Sequence, residues 1–172
     1  KENASLFDRV EEDFGVPREI ITSILGVETR YGKIQGSYRV LDSLTTLGFD
    51  FPRRSKFFKS ELIQFFVLSR ENNLDINLVQ GSYAGAMGYG QFISSSYRAY
   101  AIDYDGDGYA DLFNSVSDAV ASIANYLKKH GWNRDGVIVK KVQLNNVSKI
   151  YKLPSNLNKF IPLKYTEGIE EE

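Results

Sequence analysis

Two groups of residues in this sequence could do chemistry, a glutamate inside an apolar helical pattern and a loop of closely spaced aspartates. The glutamate, Glu28, lies in "IITSILGVETRYG", four residues after Ile24, three after Leu25 and seven after Ile21. On a helix those spacings share a face, so the pattern puts an apolar patch beneath the carboxylate. Desolvation disfavours the charged form of an acid, and a protonated carboxyl beside an apolar wall can act as a general acid toward a leaving-group oxygen. The competing reading is structural, with Glu28 near the helix end pairing with Arg30 or Arg18.

The aspartates lie in "DYDGDGYADLFN", which fits the front half of an EF-hand calcium loop. Asp103, Asp105 and Asp107 hold positions one, three and five, and Gly108 supplies the turn at six. Tyr109 offers a backbone carbonyl at seven and Asp111 a direct or water-mediated ligand at nine. Position twelve is Asn114, not a bidentate Glu. That loss of charge lowers the expected affinity, so the expected ion is Ca²⁺ in a structural role, with Na⁺ in some conditions. Three carboxylates this close repel one another unless a cation joins them, which disfavours a bare turn.

Helices must position both groups. Leu6, Phe7, Val10 and Phe14 give a first helix, which Gly15 and Pro17 end. A second helix carries Ile20, Ile21, Ile24, Leu25 and Val27, with Gly32 as its expected stop. The stretch from Gly32 to Ser55 reads as loop, with a short helix around Leu41 to Leu47. Phe57 to Arg70 is the strongest buried-helix pattern, with Phe57, Phe58, Leu62, Phe65, Phe66 and Leu68 inside. "GSYAGAMGYGQF" is rich in small residues that let backbone approach backbone or ligand. Ser94 to Tyr100 and Asp118 to His130 read as further helices. "GVIVKKVQL" reads as a strand, and the chain after it as extended or irregular. The expected fold is mainly α (α+β), with a domain over 1–136 and a small β-containing portion over 137–172.

Composition narrows the function classes. The 172 residues are 42% hydrophobic and 25% charged, ordinary for a globular chain. Lys plus Arg (21) nearly cancels Asp plus Glu (22), leaving a net charge of -1 and no broad basic field for nucleic acid. No apolar run reaches the roughly 18 residues of a membrane span. The absence of Cys removes thiolate metal sites and Cys nucleophiles. The 11 Tyr and 11 Phe suit sugar stacking as well as core packing. The opening "KENASLFDRVEEDFGVP" reads as the interior of a longer precursor.

In order and spacing, "GVETRYG", "FPRRSKFF", "GSYAGAMGYGQFISSSY" and "DYDGDGYADLFNSVSDAVASIANYLKKHGW" resemble the membrane-bound lytic transglycosylase B (MltB-type) family, over about Leu6 to Val139. The resemblance implies a lysozyme-like helical domain acting on peptidoglycan glycan strands, with Glu28 as catalytic acid/base. It further implies substrate contacts from Arg53, Arg54, Ser82, Gln91, Phe92 and Tyr126, and a single EF-hand-like Ca²⁺ site. It implies a periplasmic monomer, with any outer-membrane lipid anchor outside this chain. From the residues alone, Ser82 is equally a turn or cap residue, Phe92 core, and Tyr126 a half-buried helix tyrosine. Isolated Arg53 and Arg54 read as surface, and His130 as a helix-end cap.

The expected reaction breaks the MurNAc–GlcNAc β-1,4 bond and leaves 1,6-anhydro-MurNAc ends, with one carboxylate serving both proton transfers. Competing readings are a muramidase hydrolase and a non-catalytic peptidoglycan-binding module. The second draws on the lack, after Val139, of the family's further cleft segment rich in Asn and Tyr. A calcium sensor is disfavoured, since no second EF-hand accompanies the first.

Overall fold

The computed structural model describes residues 3–136, together with the backbone of 142–144 and 169–171. Helix α1 (Ala4–Phe14) turns Leu6 and Val10 inward and ends where Gly15 takes a left-handed φ of +73°. The carbonyls at that end are satisfied by side chains from the stretch 128–134. Trp132 Nε1 donates to Gly15 O at 2.8 Å, Arg134 to Glu11 O at 3.2 Å and Lys128 Nζ to Asp13 O at 3.1 Å. Two of these donors are cations, which suit the negative end of a helix.

Helix α2 (Arg18–Thr29) stops three residues before Gly32, the expected terminator. Arg30 (φ +49°) and Tyr31 (φ +61°) both enter the left-handed region first. Their N–H groups return to Gly26 O at 3.1 Å and Leu25 O at 2.9 Å, closing the helix end. Gly32 is needed for another reason. A Cβ there would lie 1.8 Å from Tyr89 Cε1, so the glycine makes room for that ring.

The stretch read as loop contains β1 (Tyr38–Arg39), helix α3 (Val40–Phe49) and a 3-10 turn over Pro52–Arg54. Strand β1 pairs antiparallel with β2 (Gln80–Gly81), Tyr38 opposite Gly81. Helix α4 (Ser55–Glu71) packs along α3. Its inward row is Phe58, Glu61, Phe65, Leu68 and Ser69, which corrects the expected Phe66; that ring is 43% exposed. Glu61 can sit at 4% exposure because its carboxylate accepts the Ser95 N–H at 2.9 Å.

Helices α5 (Ser94–Tyr100) and α6 (Val116–Lys129) complete this unit. Ser115 caps α6, its hydroxyl accepting the Asp118 N–H at 3.2 Å. The core runs through Val10, Ile21, Leu44, Phe65, Met87, Tyr97, Leu112 and Val120. Each large apolar side chain buried there contributes about 1.5–3 kcal/mol. Backbone packing divides the chain into two units, Lys1–Arg134 and Asp135–Glu172. In the second, β3 (Val142–Leu144) pairs antiparallel with β4 (Ile169–Glu171). Of the strand expected over 136–144 only Gly136 and 142–144 are described, and of the extended or irregular stretch after it only 169–171, which is strand; the rest of both lies outside the described residues.

Candidate active site

Glu28 sits on the last turn of α2, on the row of Ile20 and Ile24 that flanks the buried row Ile21, Leu25 and Thr29. Ile21 and Leu25 beneath it are buried, but Glu28 is exposed, which corrects the expectation of a desolvated acid. Sharing a helix face did not mean sharing a depth. It lines a cleft of about 370 Å³ together with Ile24, Gln91, Phe92, Ser96, Ile123 and Tyr126 among others. No other carboxylate lines that cleft among the described residues.

The segment opposite Glu28 is held by polar contacts. The Thr29 hydroxyl, buried beside Glu28, accepts the Gly32 N–H at 3.0 Å. Its own hydrogen reaches Tyr89 O at 3.0 Å, with Leu25 O an alternative at 3.2 Å. Gln91 has a left-handed φ of +51°, and its Nε2 donates to Gln35 O at 3.1 Å and Gly88 O at 3.0 Å. With the amide nitrogen engaged, Oε1 is the acceptor left for a ligand. Non-glycine residues in this conformation cost of order 1 kcal/mol and cluster at functional sites. Arg30, Tyr31 and Gln91 fit that pattern around Glu28.

Aromatic rings form one wall. Tyr126 meets Phe92 edge-on at 5.8 Å and Tyr100 at 5.2 Å, and stacks on His130 at 4.0 Å. His130 Nδ1 lies 2.7 Å from Tyr126 O, and its N–H bonds the same carbonyl, so it caps α6. Tyr126 thus remains 36% exposed yet fixed in orientation.

The structure therefore gathers Glu28, Gln91, Phe92 and Tyr126 into one cleft. Ser82 lies elsewhere, its hydroxyl accepting the Ala84 and Ala86 N–H groups at 3.3 and 3.0 Å as a turn cap. Arg53 and Arg54 are exposed on the 3-10 turn, and Arg54 stacks 4.4 Å over the Phe57 ring. Neither arginine lines the Glu28 cleft. Sequence reasoning missed Thr29 as an anchor. Its one signal was a hydroxyl beside Glu28 on the buried side of the last turn. A larger cavity of about 600 Å³ follows the Thr22–Leu25 edge of α2 and reaches Tyr31 and Tyr89. Among the described residues no carboxylate lines it, so Glu28 marks the smaller cleft as the chemical one.

The acidic loop brings Asp103, Asp105 and Asp107 together, with a carboxylate oxygen of each within 4.8 Å of the others. Asp103 also accepts the N–H groups of Gly106, Asp107 and Gly108 at 2.7–3.1 Å. The Ser115 hydroxyl, donating at 2.7 Å, holds the Asp105 carboxyl below its ordinary range. Asp111 and Asn114 bond each other, Asn114 Nδ2 donating to Asp111 Oδ2 at 2.9 Å, and Asp111 is not part of the triad. The Tyr109 N–H donates to Asp107 Oδ1 at 2.9 Å.

A second missed residue is Asp118, fully buried at the start of α6. Its carboxylate accepts the N–H groups of Tyr104 at 2.8 Å, Asp105 at 3.3 Å and Asp111 at 2.9 Å, fastening both ends of the loop. Burial pushes its carboxyl up, against the pull of those donors. The buried Tyr97 phenol donates to Ala110 O at 2.6 Å and accepts the Leu112 N–H at 3.0 Å. Burial raises that phenol too. A triad of hard oxygen donors on so braced a loop fits a Ca²⁺-type cation better than a soft metal.

Comparison with known proteins agrees with this geometry. The model of the transglycosylase SLT domain family matches residues 1–165. Membrane-bound lytic murein transglycosylase B of Escherichia coli (strain K12) is 50% identical over 125 residues, 73% of this chain and 34% of that protein. The crystal structure of soluble lytic transglycosylase SltB1 from Pseudomonas aeruginosa superposes with a TM-score of 0.84 at 47% identity, covering 87% of this chain and 50% of that one. The Escherichia coli lytic transglycosylase Slt35 in complex with calcium gives 0.82 at 42% identity, covering 89% and 47%. This chain thus spans about a third of the first relative and about half of each structure. These likenesses bear out the mainly α, lysozyme-like fold and the resemblance drawn from the four motifs. The chain belongs to the transglycosylase SLT domain family.

Proposed function

We propose that this chain cleaves the MurNAc–GlcNAc β-1,4 bond of peptidoglycan as a lytic transglycosylase, with Glu28 as the single acid/base. The observation that carries this is that Glu28 is the one carboxylate lining the cleft among the described residues. Ordinary glycosidases set two carboxyl groups across the scissile bond, and here Glu28 faces Gln91, Phe92 and Tyr126 instead. In this mechanism Glu28 gives its proton to the glycosidic oxygen as that bond breaks toward an oxocarbenium-like state. The C6 hydroxyl of the same sugar then attacks the anomeric carbon, and the Glu28 carboxylate takes its proton. One C–O bond breaks, one forms, and no water is consumed. An intramolecular nucleophile has an effective concentration that outcompetes solvent.

The other groups position the sugar. Gln91 Oε1 suits the N–H of an N-acetyl group, and the Phe92 and Tyr126 rings offer faces to pyranose C–H bonds. Ser82, Arg53 and Arg54 serve glycan or peptide-stem contacts outside the cleft. Asp103, Asp105 and Asp107, aided by the Tyr109 carbonyl, Asp111 and Asn114, would hold Ca²⁺, which supplies charge neutralisation that stiffens the loop before α6. The site of action is the periplasm and the working unit a monomer; no described helix is long and apolar enough to cross a membrane. Mass analysis of digested peptidoglycan tests the reading. Anhydro ends, lighter by one water than reducing ends, support it; reducing ends indicate a muramidase, and binding without products indicates a glycan-binding module.

A further inference from the structure

A further pocket, about 410 Å³, lies between Tyr38 and Tyr83, with Ser37, Arg39, Ser43, Thr46 and Leu47 around it. Both tyrosines are exposed, at 58% and 71%. Rings this open contribute little to the core, whereas they offer flat faces to a ligand. Ser43 lies in the pocket wall at 8% exposure, and its hydroxyl has only a long 3.4 Å contact, to Ser82 O. A buried hydroxyl so weakly satisfied has hydrogen-bonding capacity left for a ligand.

The charges here are already used. Arg39 forks onto Asp42, Nε and Nη2 each 2.8 Å from a carboxylate oxygen. This pairing raises the Arg39 guanidinium and lowers the Asp42 carboxyl. The pocket therefore presents rings and hydroxyls with no unpaired charge. That set suits an uncharged sugar over a charged peptide stem, which would require a free ion.

Both stretches of backbone that build this pocket lead to the Glu28 cleft, one bracing Gln91 from outside it and the other running on into its wall at Gly90 to Ile93. Gln35, whose carbonyl receives Gln91 Nε2, leads directly into Tyr38 and Arg39. Gly81 pairs with Tyr38, and the chain from it passes Tyr83 and then Met87, which pairs with Phe92 in the cleft. We propose that the pocket between Tyr38 and Tyr83 is a second saccharide site, which takes an N-acetylated pyranose unit of the strand whose scissile bond lies at Glu28. It rests on the transglycosylase reading above.

Calorimetric titration of a Glu28→Gln chain with N-acetylglucosamine dimer and hexamer tests this without turnover. The hexamer binds more tightly than the dimer, and Tyr38→Ala with Tyr83→Ala weakens hexamer binding about tenfold, each ring platform being worth a few-fold. Tyr38→Phe with Tyr83→Phe keeps the rings and the preference. Thr46→Trp, which fills the pocket from an exposed position, abolishes the preference even should the alanine pair unfold. Two results overturn the site: no preference for the hexamer in the parent chain, or a preference unchanged in a folded alanine or Trp variant. Digestion of peptidoglycan by the unmodified chain reports on Glu28 separately, so failure of one assignment is distinguishable from failure of the other.

Discussion

The Thr29 hydroxyl lies 3.0 Å from the Tyr89 carbonyl, joining the helix end that carries Glu28 to the segment that carries Gln91 and Phe92. The acid and its facing wall are thereby fixed relative to each other by one buried side chain. Thr29→Val keeps the shape, but strands the Gly32 N–H and the Tyr89 carbonyl. The expected cost is about 1–3 kcal/mol, read as a lower urea midpoint, with a fall in peptidoglycan turnover. Thr29→Ser, which keeps the hydroxyl, restores most of both.

Gly32→Ala strikes the same junction from the other side. The new methyl would fall on the Tyr89 ring, at a backbone φ of +82° that disfavours any side chain. A loss of about 1–3 kcal/mol is expected, measured by thermal melting. An unchanged melting temperature would show that Tyr89 moves freely away.

Calcium should raise the melting temperature. At a concentration a hundred times the dissociation constant, linkage gives ~2.7 kcal/mol. Asp105→Ala combined with Asp107→Ala removes two of the three clustered carboxylates, and the calcium shift should vanish with them. A full shift in that variant places the ion elsewhere.

The Glu71–Arg98 pair predicts a pH dependence. Two bonds of 2.7 and 2.6 Å from the Arg98 guanidinium hold the Glu71 carboxyl below its ordinary value. The unfolded state then binds the proton more readily, so this contribution is present above the ordinary glutamate range of about 4.3. It is lost as pH falls through the lowered folded value. Acid titrations should show a shallower loss of stability in Glu71→Gln than in the parent, the effect being small because the pair is half-exposed.

Much of this architecture was legible in the sequence, because its helices carry their apolar rows at helical spacing. Depth was harder to read. Glu28 shares a face with Ile21 and Leu25, but it lies on the flanking row of half-buried Ile20 and Ile24, while Thr29 takes the buried place on the last turn. Phe66 is one residue off the inward row, and Glu61 takes an inward place because a backbone N–H waits there. The stop at Thr29 depends on two left-handed non-glycine residues, whose conformation is imposed by packing and not by propensity. Asp118 was hidden because its partners lie 7 to 14 residues away across the loop. In the sequence it stands only as the start of the helix read over Asp118 to His130. The β1–β2 ribbon is two residues long, too short for any period to register.

The central claim concerns Glu28, and digestion of purified peptidoglycan by the parent chain and by Glu28→Gln tests it most directly. The parent should release fragments with 1,6-anhydro ends, each lighter by one water than its hydrolysed counterpart. Glu28→Gln, which keeps the side-chain shape but holds no proton to give, should release almost none. A Glu28→Gln chain that cleaves as fast as the parent would contradict the account.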